Sequence, residues 1–404
     1  MGSVVGESVA WTFWVALGLT SYTYAGFLLI IALVSRVYSQ EHKQGDIEPT
    51  VSLLIPAHNE ADVIEEKINN SLSLDYPREK LQIRVVSDGS DDGTDEVARR
   101  YAPKGVELQR VERRGGKPNA INLAVPHCRG EILLLCDANT MFAPNVVRCL
   151  VRHFADPRVG AVTGDVRLQS SEVHYGAGEG LFFKLERWLQ ACESKLWTTI
   201  GVDGGMYALR KDLYVPNRTD TLIDDFVIAM NVARRGFRVI YDPQAVAVED
   251  AVNDPGQEFR RRTRTVAGGL QSVFGGRGRP RWNQPVLWAA YLSHKVLRWL
   301  SPFVLILLLL SNAAAVFSTH RGEPSWYAYA AFLACQAAAY GLAGLGFLLA
   351  RTRLPKPVSM PYYFCLTNGA ALVGFFKWLC GVQTVTWPHP DRTKPVDIIT
   401  TAQQ

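Results

Sequence analysis

The chain has 404 residues, a formal net charge of +5, 48% hydrophobic residues and a mean hydropathy of +0.01. That length holds one large domain or two ordinary ones, and the apolar content is high for a water-soluble protein. The seven cysteines are odd in number and lack paired spacing, which argues against a disulfide framework and a zinc signature.

Residues 9–35 contain no charge and are long enough to cross a bilayer. Nothing basic precedes them, which speaks against a secretory signal. Arg36 and Lys43 follow, so the Lys/Arg bias places the N-terminus outside and residues 36–298 in the cytosol. Val51-Ser52-Leu53-Leu54-Ile55 reads as a buried strand, and Ile64, Ile68 and Leu72 mark an amphipathic helix. A second strand is predicted over 82–87, and Gly93-Thr94 opens a helix with Val97 and Tyr101. A third strand runs through Val106-Glu107-Leu108. Gly115-Gly116-Lys117 leads into a helix with Ile121 and Ala124, and a strand then stops at Asp137. A helix over 144–155 and a strand over 159–163 complete the alternation, which predicts a parallel sheet with right-handed crossovers.

Beyond this unit the sequence turns basic. Residues 257–281 hold seven arginines and one acid, Glu258, a strip that suits anionic headgroups or a phosphate-bearing substrate. No nucleic-acid motif accompanies it, so no nucleic-acid partner is expected. Gly275-Gly276-Arg277-Gly278-Arg279-Pro280 reads as a linker. Apolar runs over 299–317 and 326–350 are further candidate spans. Gly369, Gly374 and Lys377 interrupt a shorter run over 361–380, which either crosses or lies along the interface. Arg351, Arg353 and Lys356 agree with a return to the cytosol after the third span.

Four acidic motifs lie in order inside the central unit: Glu60 in Pro56-Ala57-His58-Asn59-Glu60, Asp88 in Asp88-Gly89-Ser90, Asp137 in Asp137-Ala138-Asn139, and Asp224-Asp225. Asp88 and Asp137 fall where strands stop, which aims both into one crevice of an open α/β sheet. Carboxylates gathered there suit a divalent cation and a diphosphate. Asp137 and Asn139 offer two side-chain oxygens to one ion, although such a tripeptide alone is more often a turn. Asp88 accepts from a base or ribose, or its loop simply caps the next helix. Asp224-Asp225 answers a helix dipole, or mutual repulsion raises one pKa into the range of a general base. Lys117 meets a phosphate or is an exposed lysine. Helical spacing puts Arg260 and Arg264 on one face, suited to phosphate oxygens or to a merely solvated basic surface.

Taken together in this order, these residues resemble the membrane-embedded family 2 glycosyltransferases, the group of cellulose, hyaluronan, chitin-oligosaccharide and poly-N-acetylglucosamine synthases. The resemblance rests on the four acidic motifs and the arginine-rich segment, over roughly residues 50–275. It implies a GT-A type nucleotide-sugar-binding α/β domain with a mainly parallel sheet, flanked by transmembrane and interfacial helices. The layout becomes an anchor over 1–38, a cytosolic catalytic domain over 39–256, basic interfacial helices and linker over 257–298, a membrane bundle over 299–385 and a tail over 386–404.

The activity implied is inverting hexosyl transfer, dependent on Mg2+ or Mn2+, from a nucleotide-sugar (by family a UDP-sugar) to a growing polysaccharide or oligosaccharide. It would take place at the cytosolic face of the cell (inner) membrane, among membrane lipids. By position, Glu60 and Asp88 hold the nucleoside, with Lys117 near the nucleotide. Asp137 and Asn139 bind metal and diphosphate. Asp225 matches the catalytic base, Asp224 takes the place of the usual neighbouring glutamate, and Gly204-Gly205 matches a segment lining the acceptor site. The family's Gln-x-x-Arg-Trp motif falls on Arg261-Arg262-Thr263-Arg264-Thr265. Arg264 is retained for the diphosphate, Arg261 replaces the glutamine, and Thr265 replaces the tryptophan that stacks on the acceptor. Trp282, Trp288 or Trp387 is a candidate to substitute for it. Two alternatives remain: single-sugar transfer to a lipid acceptor, and an inactive nucleotide-binding scaffold.

Overall fold

Every residue of the first strand, β1 (Val51–Ala57), is buried, which only a central strand covered on both faces allows. The computed structural model, which describes residues 2–169, 176–250, 254–350 and 354–385, places β1 in the middle of an eight-stranded sheet. Trp387, Arg351, Arg353 and the tail over 386–404 lie outside the described residues. The other strands are β2 (Leu81–Asp88), β3 (Val106–Val111), β4 (Ile132–Cys136), β5 (Met141–Phe142), β6 (Val159–Gln169), β7 (Met206–Arg210) and β8 (Arg238–Asp250). Their order is β3-β2-β1-β4-β7-β6-β8-β5.

The sheet is mostly parallel but mixed. β1 runs parallel to β2 and β4, β2 to β3, and β6 to β8. β7 is antiparallel to both β4 and β6, and β5 is antiparallel to β8. The antiparallel strands are those that the helix–strand alternation did not announce, because β7 enters from a loop rather than from a crossover helix. Side chains alternate between two cores. Leu53, Ile55, Leu134 and Cys136 pack on one face, and Leu54, Leu133 and Leu135 on the other, as the two-residue period of a strand requires.

Helices α1 (Gly2–Ser21) and α2 (Phe27–Val37) are joined by a π-turn, Tyr22–Gly26. α3 (Ala61–Leu72), α4 (Thr94–Arg100), α5 (Lys117–Ala124), α6 (Val146–Val151), α7 (Gly176–Leu196) and α8 (Asp224–Arg234) belong to the central unit. The helix predicted over 144–155 is instead the short α6 followed by a 3-10 turn, Arg152–Ala155. α9 (Pro255–Gly275) is capped by Asp254, which accepts from Gly256 and Gln257 N–H, a standard N-terminal device. α10 (Pro285–Tyr291), a second π-turn (Leu292–Val296) and α11 (Leu297–Ser318) form one continuous rod. α12 (Pro324–Leu348) and α13 (Lys356–Leu379) follow.

Among the described residues three helices are long and apolar enough to cross a membrane: Gly6–Val37, Pro285–Ser318 and Pro324–Leu348. α13 is not one of these. It packs closely against α9, where a Cβ on Gly374 would lie 2.7 Å from the Thr263 carbonyl oxygen. The second span begins 14 residues earlier than its apolar run. At about 1.5 Å per residue the rod is about 51 Å long, well beyond a hydrocarbon core of about 30 Å. The surplus turns pack on the central unit, with Leu287, Tyr291 and Trp299 joining Phe226 and Leu270 in one core.

Close backbone packing at the start of β1 gives a test. A Cβ on Gly130 would sit 2.4 Å from Ser52 N and 2.6 Å from Val51 C, whereas one on Gly341 would meet nothing within 4 Å. Gly130→Ala should therefore destabilise the chain by about 1–3 kcal/mol and lower the unfolding midpoint in detergent. Gly341→Ala should leave the midpoint level or raise it, and equal effects of the two would refute the packing described.

Candidate active site

The loops after β1 and β2 are locked together by their own side chains. Asn59 adopts φ +55°, a left-handed conformation that asparagine tolerates. Its amide donates to Asp91 Oδ1 at 2.8 Å and accepts from Asp91 N–H at 3.0 Å. Glu60 N–H donates to Thr94 Oγ1 at 2.8 Å. Asp92 accepts from Ala61 N–H and Thr94 N–H, so the helix cap in this loop is Asp92. Asp88 does something else. Its two oxygens accept from Gly115 N–H at 2.8 Å and Gly116 N–H at 2.7 Å. The turn needs Gly116, at φ +85°, and it hands the chain directly to Lys117.

The buried Lys67 of α3 donates to the Thr140 carbonyl and lies over the Phe142 ring at 3.6 Å. It thereby fixes the turn that follows Asp137, and burial pushes its pKa down. Lys117 Nζ pairs with Asp137 Oδ1. Burial works against the lysine's charge, but Asp137 and then Asp224 and Asp225 more than offset it and raise its pKa. Asn139 Nδ2 donates to Glu249 Oε1 at 3.2 Å.

α8 begins on the acids, with Asp224 buried. Asp225 Oδ1 accepts from Phe226 N–H at 2.8 Å. Burial and then the Asp224 charge push the Asp225 carboxyl up to about 7, against the partial relief of Lys117. Gly204 passes so close that a Cβ there would lie 2.7 Å from Asp225 Oδ2. Gly205 N–H donates to Asp203 Oδ1 at 3.0 Å.

Two further acids complete the cluster. Burial and then Asp137 push the Glu249 carboxyl up to about 7. The Asp203 pKa is also raised, chiefly by burial and with Asp137 adding. Asp203 directly precedes Gly204-Gly205, and Glu249 lies at the end of an alternating run, Val246-Ala247-Val248. Both signals were readable once β7 and β8 were placed. Lys67 has its own signal, as a single lysine on the apolar face with Ile64 and Ile68.

Arg264 carries the opposing charge. Burial lowers its pKa, while Asp224, Asp225 and Asp137 work the other way. Its Nη2 donates to the Val385 carbonyl at 3.2 Å, and Val385 also packs on Gly116. Arg261 and Arg262 both pair with Glu258, at 2.8 and 2.7 Å, and Arg262 also donates to the Tyr363 hydroxyl. Arg260 is exposed beside Asp254 at 3.6 Å, so it does not share the surroundings of Arg264. Thr265 is exposed and spends its hydroxyl on the Arg261 carbonyl at 3.0 Å. Trp282 and Trp288 line a separate cavity of about 750 Å³ with Arg234, at the far end of α8 from its acids.

The donor set fits a hard divalent cation that a ligand helps to hold. Asp137 and Asn139 offer oxygens, and behind the effect of burial the charge of Asp203 adds to the raised pKa values of Asp225 and Glu249. Among the described residues no three His, Cys, Asp or Glu side chains converge closely enough to hold a metal alone. Mg2+ characteristically fills its shell with substrate phosphate oxygens in such a case.

Residues 52–214 match the family described as Glycosyl transferase family 2. A poly-beta-1,6-N-acetyl-D-glucosamine synthase of Staphylococcus aureus is 28% identical over 236 residues, 55% of this chain and 55% of that protein. A beta-monoglucosyldiacylglycerol synthase of Trichormus variabilis is 29% identical over 194 residues, 47% of this chain and 41% of the relative. The chain thus matches about half the length of these curated relatives. A solved mannosyltransferase of Pyrobaculum calidifontis, in complex with GDP-Man and Mn2+, is similar at a TM-score of 0.70 and 27% identity, over 92% of this chain and 100% of that one. The mixed sheet, the acids at its edge and these likenesses agree: the chain carries a family 2 glycosyltransferase domain of the GT-A fold.

Proposed function

We propose that the chain transfers a sugar from a nucleoside-diphosphate sugar to an acceptor hydroxyl at the cytosolic membrane face, with inversion at the anomeric carbon. The observation that carries this reading is that Asp137, Asp224, Asp225 and Asp203 all act on Lys117, which directly follows the turn that Asp88 ties down. Glu60 and Asp88 would face the nucleoside. Lys117 would exchange part of its pairing with Asp137 for a phosphate oxygen. Arg264 would grip the diphosphate from α9, with Arg261, itself fixed by Glu258, behind it. A divalent cation, Mg2+ or Mn2+, held by Asp137 and Asn139 would neutralise the leaving diphosphate.

Asp225 is the general base in this reading. Oδ1 is occupied by the Phe226 N–H, so Oδ2, beside Gly204, takes the acceptor's proton. The acceptor oxygen bonds to the anomeric carbon as the bond from that carbon to the phosphate oxygen breaks, and the electron pair leaves with the diphosphate. Gly204-Gly205 and Thr265 would border the acceptor. The layout that goes with this reading is a cytosolic unit over 39–256, an interfacial segment over 257–298 and a bundle over 299–385.

For the acceptor, we favour a growing polysaccharide or oligosaccharide, the kind of product that the Staphylococcus aureus relative's name states. The specific observation favouring single-sugar transfer to a membrane lipid is Thr265, which presents no aromatic face where polymerising enzymes stack a sugar. The name of the glycolipid synthase supports that second reading. Product length from labelled donor separates the two.

Three outcomes test the proposal. Asp225→Asn should bind donor as the wild type does, yet lose about 10²–10⁴-fold in turnover, and retained turnover in a nucleotide-release assay would remove Asp225 from this role. Gly204→Ala should push Oδ2 aside and lower kcat by about tenfold or more at unchanged donor KM. A loss confined to donor KM would contradict the placement.

The third concerns pH in the metal-free protein. The folded state holds the Asp225 proton up to about 7, from an ordinary 3.8, whereas the unfolded chain releases it earlier. Stability is therefore fully present at low pH and is lost as pH rises towards 7. The unfolding midpoint should fall between about pH 5 and pH 7, and Asp225→Asn should make that fall shallower; an unchanged slope would contradict the shift.

A further inference from the structure

The rod Pro285–Ser318 is not a regular α-helix. Its single π-turn, Leu292–Val296, is an insertion of the kind often found where a side chain must be re-aimed. The turn delivers His294, wholly buried at 0% exposure, between two carboxylates of α7. Nδ1 lies 2.7 Å from Glu193 Oε1 and Nε2 lies 2.8 Å from Glu186 Oε1. Both ring nitrogens thus lie within hydrogen-bond distance of a carboxylate oxygen.

The two acids are not equivalent. Glu186 also pairs with Lys295 and Arg298, at 2.5 and 2.8 Å. Among the described residues, His294 is the one side chain that ion-pairs with Glu193. The second oxygen of Glu193 accepts the Ile200 N–H at 3.1 Å.

Ile200 opens the segment that runs past the proposed base. Gly201, at φ +96°, packs so tightly on Phe226 that a Cβ would lie 2.9 Å from the ring. Gly204 packs in the same way on Asp225. Phe226 in turn meets the rings of Tyr291 and Trp299, with centroids 6.0 and 5.8 Å away. One membrane rod therefore reaches both sides of Asp225, a polar line to the loop and an aromatic line to the helix.

We infer that His294 and Glu193 are positioning residues: the π-turn of the rod holds residues 200–205 against Asp225 and so ties the acceptor side of the active site to the membrane bundle. This deepens the reading of Asp225 as the base and rests on it. A fully buried ion pair returns little net stability once its desolvation is counted, so adhesion between helices is a weak reason for this one. Fixing the direction of a backbone amide is a stronger reason, since displacements of about 1 Å in a reacting constellation cost turnover about a hundredfold.

The test uses the full chain in nanodiscs, with amide hydrogen exchange and nucleotide release from GDP-mannose and from UDP-N-acetylglucosamine as probes. Glu193→Ala removes both contacts. Glu193→Gln keeps an oxygen for the Ile200 N–H but removes the charge. With Glu193→Ala, exchange at residues 200–205 should rise about tenfold while β1 and β2 keep their protection. With the donor that the wild type cleaves, kcat should fall about tenfold at constant donor KM, and Glu193→Gln should lie between.

Unchanged exchange at 200–205, an equal rise in β1 and β2, or an unchanged kcat would overturn the inference. Should Glu193→Ala fail to fold, Glu193→Gln decides alone, and wild-type values from it would overturn the inference. If the wild type cleaves neither donor, the proposed function fails for those donors, while the exchange data still judge the positioning.

Discussion

The constraint on which this structure depends is the confinement of like charge beyond the carboxyl ends of central strands that are buried throughout. β1, β2 and β4 bury nearly everything they carry, so polar chemistry is displaced to the loops beyond their carboxyl ends. Asp137, Asp203, Asp224, Asp225 and Glu249 meet there, with Lys117, Arg261 and Arg264 as the nearby cations. Removing that many carboxylates from water is costly unless cations complete the balance. Burial and the neighbouring acids raise Asp225 and Glu249, and a divalent cation would supply positive charge that the cluster lacks. Stability and chemistry are thus in tension at this edge, as strained polar groups at functional sites commonly are.

Much of this was legible in the sequence, and the reasons differ by element. Continuous apolar runs such as Ile132–Cys136 announce covered strands, and an acid at the end of such a run is aimed by topology alone. The antiparallel β7 was not legible, because five residues following a glycine turn carry no periodic signature. Asp203 and Glu249 were missed with it, since their meaning depends on which strands end beside Asp137. Lys67 was visible but ambiguous: one lysine on an apolar helical face reads as an error of amphipathicity until its carbonyl partner, Thr140, is known. The arginines show the opposite problem. Spacing put Arg260 and Arg264 on one face, yet Arg260 lies at the exposed start of α9 beside Asp254 while Arg264 is deep enough to feel the acids.

The membrane helices are more than anchors in this architecture. The first and second spans meet through Tyr22 and Ser293, whose hydroxyl oxygens lie 2.7 Å apart, one from each π-turn. Tyr24 reaches Ser301 and Asn368. Polar contacts of this kind between apolar helices fix register rather than add much stability. Register matters here because the rod carrying Ser293 also carries His294, Tyr291 and Trp299, which touch the elements around Asp225. Rotating or sliding that rod would be felt at the acids. A unit built this way is coupled to its long apolar helices by packing.

In the function proposed, Asp137 and Asn139 hold a cation whose shell only a diphosphate completes. Calorimetric titration of Mn2+ into the full chain, with and without GDP or UDP, tests it most directly. Mn2+ should bind weakly alone and about tenfold or more tightly with the nucleotide that fits, a reciprocal coupling abolished by Asp137→Ala. Tight Mn2+ binding that ignores nucleotide and survives that substitution would contradict it.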